Sequence, residues 1–262
     1  MSTGAAPLVF ITGASSGIGQ ALALRYARDG WRLGLVARRG AELEAWARAQ
    51  GWAAERWRVY AADVQQFDSI VAAGTACLAQ QGLPDVVIAS AGISVGMDTA
   101  VRADLDVMRD VFATNNLGLA ATFHPFVAAM CRRGSGVLVG VASVSAIRGL
   151  PGHGAYCASK AAVVSYCESL RGECRSAGVR VVTLLPGYIA TPLTAGNPYR
   201  MPFMLSADEF AARAQRAIRR GSSYAVIPWQ MAVVAKLLRL LPDAWFDALL
   251  GRRQRKPRRA AP

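Results

Sequence analysis

Seven short apolar runs recur along the chain, and a segment of helical length and pattern separates each from the next. The runs are LVFIT (8–12), RLGLVA (32–37), WRVYAA (57–62), DVVIASA (85–91), GVLVGVAS (136–143), VRVVTLLP (179–186) and YAVIP (224–228). The helical segments span 17–29, 41–50, 66–81, 104–132, 155–177 and 206–220. Strands that are apolar on both faces and separated by helices specify a parallel sheet covered on both sides. The expected architecture is therefore α/β: a doubly wound, Rossmann-type parallel sheet of about seven strands. A single domain over residues 1–251 accounts for the pattern, because no linker, repeat or low-complexity stretch interrupts it before the basic end.

TGASSGIG, residues 12–19, follows the first run and opens a helix. Its glycines, Gly13, Gly17 and Gly19, permit a tight turn and a close backbone approach to a pyrophosphate, whose charge would sit against a helix N-terminus. In this strand–turn–helix context the turn predicts a dinucleotide cofactor held by Gly13, Ser15, Ser16, Gly17, Ile18 and Gly19. The end of the second run selects which one. An acidic residue there suits the ribose hydroxyls of NAD, whereas an arginine suits a 2′-phosphate. The chain has Arg38 and Arg39 and no acid before Glu42, so NADP(H) is expected, with Arg38 the better phosphate ligand and Ser15 its helper.

GAYCASK (154–160) places Tyr156 and Lys160 one helical turn apart, on the same face. TGxxxGxG followed much later by YxxxK resembles the short-chain dehydrogenase/reductase family over about residues 8–192. The resemblance implies a catalytic set of Ser143, Tyr156, Lys160 and Asn115, the serine lying thirteen positions before the tyrosine and the asparagine in TNNLG. It also implies cofactor contacts from Asp63 and Val64 at the adenine, and from Pro186, Gly187, Ile189 and Thr191 beside the nicotinamide. In ASAGI (89–93) the chain departs from the family's N-N-A-G: Ser90 stands where an amide side chain is usual, while Ala91 and Gly92 are kept.

The residue types suit carbonyl reduction in their own right. A growing alkoxide needs a proton, and a phenol with an ordinary pKa near 10 releases one reluctantly at neutral pH. The Lys160 ammonium would favour the phenolate and hold the ribose. Ser143 would hydrogen-bond the substrate oxygen, and Asn115 would position Lys160 through water. His153 could face the substrate or lie on a surface loop. Cys157 reads as a packed thiol, and His124 has no partner at metal-ligand spacing, so no metal site is expected.

The family resemblance implies that residues 192–210 form a lid over the substrate, which Met201, Phe203, Met204 and Leu205 would line; the alternative is that these pack on the lid's own helix. The apolar segment 229–250 is too interrupted to span a membrane. It reads either as amphipathic helices lying on a membrane or partner, or as a cap on the protein's own core. Six of the eight residues in RRQRKPRR (252–259) are basic and contribute to the net charge of +13. The tail 252–262 is expected to be disordered, docking on an anionic membrane or on nucleic acid being the sharper alternatives. The arginines elsewhere are scattered, so no nucleic-acid partner is expected.

Five cysteines without framework spacing, and no leader-like segment, point to reduced thiols in the cytoplasm, with membrane association at its inner face left open. The family resemblance implies a homodimer or homotetramer through 104–132 and 155–177. Together these features predict an NADPH-dependent oxidoreductase that reduces the carbonyl of an apolar, lipid-like substrate, or oxidises the matching alcohol. A 3-oxoacyl-thioester reductase is the alternative within enzymes. A non-catalytic NADP(H)-binding regulator or a membrane-docking protein is the alternative outside them.

Overall fold

The structure, a computed structural model, describes residues 6–251 and 254–258. Its central sheet has seven parallel strands in the order β3-β2-β1-β4-β5-β6-β9. These are β1 (Leu8–Thr12), β2 (Arg32–Ala37), β3 (Trp57–Ala61), β4 (Val86–Ala89), β5 (Gly136–Val141), β6 (Val179–Pro186) and β9 (Tyr224–Ile227). Each coincides with one of the seven apolar runs, as expected where both faces are covered. One core layer packs α1 (Gly17–Arg28), α2 (Gly40–Ala49) and α8 (Ala207–Arg220) on the sheet, with Leu22, Tyr26, Leu43 and Phe210 fully buried. The other packs α3 (Phe67–Gln80), α5 (Gly118–Arg133) and α6 (Gly154–Cys174), with Phe10, Phe123 and Phe126 at its centre.

Four differences from the sequence reading bear on function. The segment 104–132 is not one helix: α4 (Asp104–Phe112) and α5 are joined by a π-helical turn, Ala113–Leu117, which carries Asn115. Such single-turn widenings are common at functional sites because they re-aim one side chain. The runs 85–91 and 136–143 leave the sheet early, at Ala89 and Val141, so that Ser90–Gly92 and Ala142–Ser143 become loop above the strand ends.

A small second pair, β7 (Ile189–Ala190) with β8 (Leu205–Ser206), pins both ends of an excursion that contains the short helix α7 (Pro192–Ala195). Finally, the described part of the basic tail is not disordered. Gln254–Arg258 lies against the body, because the Arg258 guanidinium pairs with the buried Asp104 carboxylate. The remaining tail residues fall outside those described.

The apolar C-terminal segment forms α9 (Trp229–Leu240) and α10 (Asp243–Leu250). One face, with Met231, Ala235, Phe246 and Leu250, caps the core; the other leaves Trp229, Leu237, Leu240 and Trp245 exposed. Among the described residues no helix is long and apolar enough to cross a membrane.

Candidate active site

In an open parallel sheet, ligands settle in the crevice beyond the strand C-termini where the strand order reverses. Here that point lies between β1 and β4, and a cleft of about 470 Å³ opens there. Its floor is the glycine turn. Gly13 has φ +69°, and a Cβ on it would stand 2.9 Å from the Cα and N of Ala91. Thr12 sits under the same junction, its Oγ1 accepting from the amides of Ser90 (3.2 Å) and Ala91 (3.3 Å). The backbone of Ser90, not its side chain, therefore makes the link between the two strand ends.

Every cofactor contact expected from the sequence lines this cleft: Gly13 and Ser15–Gly19, Arg38 and Arg39, Asp63 and Val64, Ser90–Gly92, Pro186, Gly187, Ile189 and Thr191. The two arginines differ. Arg39 is paired with Glu42 at 3.1 Å, whereas among the described residues Arg38 has no ion-pair partner. Gln65 and Thr114 also line the cleft, joined by a 2.7 Å hydrogen bond from Gln65 Nε2 to Thr114 Oγ1. Nothing in the local sequence marks them; only the fold brings the end of β3 to the π-turn. A glycine turn at a helix N-terminus, with Arg38 and Asp63 in the same cleft, fits a dinucleotide.

Ser143, Tyr156 and Lys160 line the far end of the same cleft. Lys160 is buried and its Nζ donates to the Val141 carbonyl at 2.8 Å, 5.8 Å from the centroid of the Tyr156 ring. Burial pushes the Tyr156 phenol up to about 12, opposed by its hydrogen bond with Ser143. Burial likewise pulls the Lys160 ammonium down to about 8. The sequence reading had the ammonium lowering the phenol's pKa; here desolvation dominates both groups. Among the described residues no direct hydrogen bond joins Asn115 to Lys160. The Asn115 Oδ1 accepts from the Ile93 amide (2.9 Å), and its Nδ2 donates to the Ile93 carbonyl (3.1 Å) and to Ser159 Oγ (2.9 Å). It thus ties the loop after β4 to the helix that carries the Tyr–Lys pair.

None of the residues assigned to substrate lines this cleft. His153 is buried, not on a surface loop, with Nε2 3.3 Å from the Tyr199 hydroxyl. Phe203, at φ +55°, and Met204 are exposed, and neither they nor Met201 line the cleft. The apolar surface beside Ser143 comes from residues that sequence reasoning missed. Ile147, Leu150, Tyr188, Met231, Leu238 and Phe246 line a second cavity of about 200 Å³ that starts at Val144, with Arg148 and Arg200 also in its wall. Four of them belong to α9, α10 and the segment after β6, so no local pattern announces the pocket. No cluster suited to a metal ion occurs among the described residues.

All five cysteines are free thiols, and burial raises Cys77 to about 12 and Cys167 and Cys174 to about 11 from 9.0. A thiol that holds its proton more tightly when folded stabilises the fold below its unfolded pKa and loses that advantage as pH rises. Each withdraws about 1.4 kcal/mol per pH unit above about 9. Lys160, lowered by burial, works in the opposite sense between about 8 and 10.5 but is a single group. The melting temperature measured by calorimetry should therefore fall steadily from about pH 9 to 11; a flat profile would contradict the buried thiols.

A doubly wound sheet with a glycine cradle at its switch point, ending at a half-buried Tyr156 beside the buried Lys160 and Ser143, defines a nicotinamide-dependent oxidoreductase. The chain matches the short chain dehydrogenase family model over residues 7–200 and belongs to that family. It is 38% identical over 245 residues to an uncharacterized oxidoreductase of Myxococcus xanthus, covering 92% of this chain and 95% of that protein. Among solved structures it resembles an alcohol dehydrogenase of Thermococcus sibiricus complexed with 5-hydroxy-NADP (TM-score 0.74, 27% identity, 85% of this chain and 96% of that one). It also resembles a 3-ketoacyl-(acyl-carrier-protein) reductase of Brucella melitensis complexed with NADH (TM-score 0.75, 27% identity, 84% and 96%). The protein is thus an oxidoreductase acting on alcohol or carbonyl groups of small molecules with a nicotinamide cofactor.

Proposed function

We propose that this protein is an NADP(H)-dependent carbonyl reductase, reversible toward the alcohol, for apolar, lipid-like substrates. The observation that carries this reading is one cleft lined at one end by Arg38, which has no ion-pair partner among the described residues, and at the other by Ser143, Tyr156 and Lys160. The apolar cavity that begins at Val144 supports the substrate class.

When bound, the cofactor supplies or accepts the hydride. The chain's own groups handle the proton and the charge. Tyr156, held protonated at neutral pH by burial, donates its phenolic proton to the oxygen of the carbonyl being reduced. Ser143 donates a hydrogen bond to the same oxygen and shares the developing charge. Lys160, positive below about pH 8, stabilises the phenolate left behind. Asn115 is a positioning residue: through Ile93 and Ser159 it fixes the loop after β4 against α6. Exposed Leu105, Met108, Leu117 and Tyr166 on the outer faces of α4, the π-turn and α6 support a homo-oligomer built there.

The test is cofactor consumption by the purified protein with carbonyls from small aldehydes through 3-oxoacyl thioesters to long-chain and steroid ketones. NADPH should outperform NADH, and Arg38→Asp should shift the ratio toward NADH by roughly tenfold or more, the worth of a charge-assisted phosphate contact. Equal use of both cofactors, unmoved by Arg38→Asp, would sink the NADP(H) assignment. Turnover confined to 3-oxoacyl thioesters would replace the substrate class.

A further inference from the structure

Three segments meet the described part of the tail: the loop after β4, the turn before α6, and the start of α7. Ile93 and Leu193 line the cleft itself, and Gly152 lies four residues before Tyr156. The Met97 amide donates to the Gly152 carbonyl at 3.0 Å, which joins the first two segments. The tail residues Gln254–Arg258 touch all three.

The contacts are specific rather than a general attraction of charge. Arg258 forms an isolated parallel bridge with Gly96, and the Gly96 amide donates to the Pro257 carbonyl at 3.1 Å. A Cβ on Gly96 would stand 2.1 Å from the Lys256 carbonyl oxygen, so only glycine lets the tail seat there. Arg255 packs its Cβ, Cγ and Cδ over Gly152, 3.0–3.2 Å from where a Cβ would lie. The Lys256 ammonium donates to the Leu193 carbonyl at 3.0 Å.

Arg258 anchors the end, gripping Asp104 through Nε (2.6 Å) and Nη2 (3.2 Å). Asp104 is only 4% exposed at its side chain, and its Oδ2 also accepts from the Asp98 amide at 2.7 Å. That low exposure is measured with Arg258 in place, and the two-pronged guanidinium–carboxylate contact, which holds the Asp104 carboxyl below its usual range, makes the anchor specific to a cation here.

We propose that Gln254–Arg258 is a wall of the substrate site: a strap that joins the loop after β4, the turn before α6 and α7, and thereby limits the size of carbonyl compound admitted beside Tyr156. This rests on the reading of the site as a carbonyl reductase.

Three variants reach the strap from different sides: Gly96→Ala on the body, Arg258→Gln at the anchor, and a chain ending at Arg253. Hydrogen exchange of peptides covering 93–98 needs no substrate, and it should accelerate in all three. With NADPH, 2,3-butanedione and benzil serve as small and large probes. The ratio of kcat/KM for benzil to that for butanedione should rise about tenfold in each variant, the scale at which pocket shape discriminates apolar groups, with the Kd for NADPH unchanged. Unchanged exchange in every variant overturns the docked strap. Faster exchange with an unchanged ratio overturns the wall and leaves the reductase reading standing. If wild-type protein binds NADPH but reduces neither diketone nor any member of the wider carbonyl panel, the reductase reading falls, and the wall with it.

Discussion

Tyr156→Phe should cut carbonyl reduction by about a thousandfold or more while the protein still folds and binds NADPH. The substitution removes one oxygen and keeps the ring, so the packing at the start of α6 is preserved. What is lost is the proton donor. Among the described residues no other phenol lines the cleft, and the Ser143 hydroxyl holds its proton far more tightly. Nucleotide affinity should stay within about twofold, because the phenol's hydroxyl contributes one hydrogen bond among many. Burial that raises the phenol to about 12 also implies that the oxidative direction, which needs the phenolate, gains with rising pH. Single-turnover absorbance at the nicotinamide band, alongside equilibrium binding, separates the two effects. A phenylalanine variant retaining more than about a tenth of wild-type turnover would remove Tyr156 from the chemistry.

The second large effect falls on a residue that touches no reacting atom. Gly19 lies in the first turn of α1, where alanine is intrinsically the better helix former by about 1 kcal/mol. Helix propensity alone predicts stabilisation by Gly19→Ala. Packing reverses the sign, because the new Cβ would stand 2.2 Å from the Gly13 carbonyl oxygen and 2.7 Å from its carbon. Those atoms are backbone and belong to the turn that Gly13 itself holds against Ala91, so neither side can yield without opening the cradle. The expected cost is about 2–4 kcal/mol of stability and at least a hundredfold in NADPH affinity. Gly172→Ala is the control: that glycine is exposed within α6 with nothing within 4 Å of its would-be Cβ, and alanine there should stabilise by about 0.5–1 kcal/mol. Melting curves and NADPH titrations of the pair decide the matter; a Gly19→Ala protein as stable as Gly172→Ala would refute the close contact.

The nucleotide half of the cleft was legible to the extent that the residues named for it line it, because its signals are local. A glycine turn between a strand and a helix, and the two residues that end the second strand, each lie within a dozen positions, and their chemistry depends on backbone geometry that the sequence dictates directly. The Tyr–Lys pair is legible for the same reason: one helical turn sets its spacing. The substrate half was not. Met201, Phe203 and Met204 carry the right chemistry, but the β7–β8 pairing holds their excursion so that Phe203 and Met204 face solvent. The side chains that line the cavity beside Ser143 come from three distant stretches. Asn115 was found by motif, yet its partners depend on a π-turn that no periodicity shows, since one extra residue in a helical turn leaves the apolar pattern nearly unchanged.

By itself, then, the sequence determined the layered fold, which segments form its strands, the glycine turn and the candidates for proton transfer. These follow from short-range sterics and from the burial of alternating segments. Only the tertiary structure decided which apolar side chains line the second cavity, how desolvation shifts Tyr156 and Lys160, and that Gln254–Arg258 of the basic tail lies against Asp104 and Gly96. Each of those depends on contacts between residues far apart in the chain, where the free energy lies in how surfaces fit and how much water they exclude, and no local pattern encodes that.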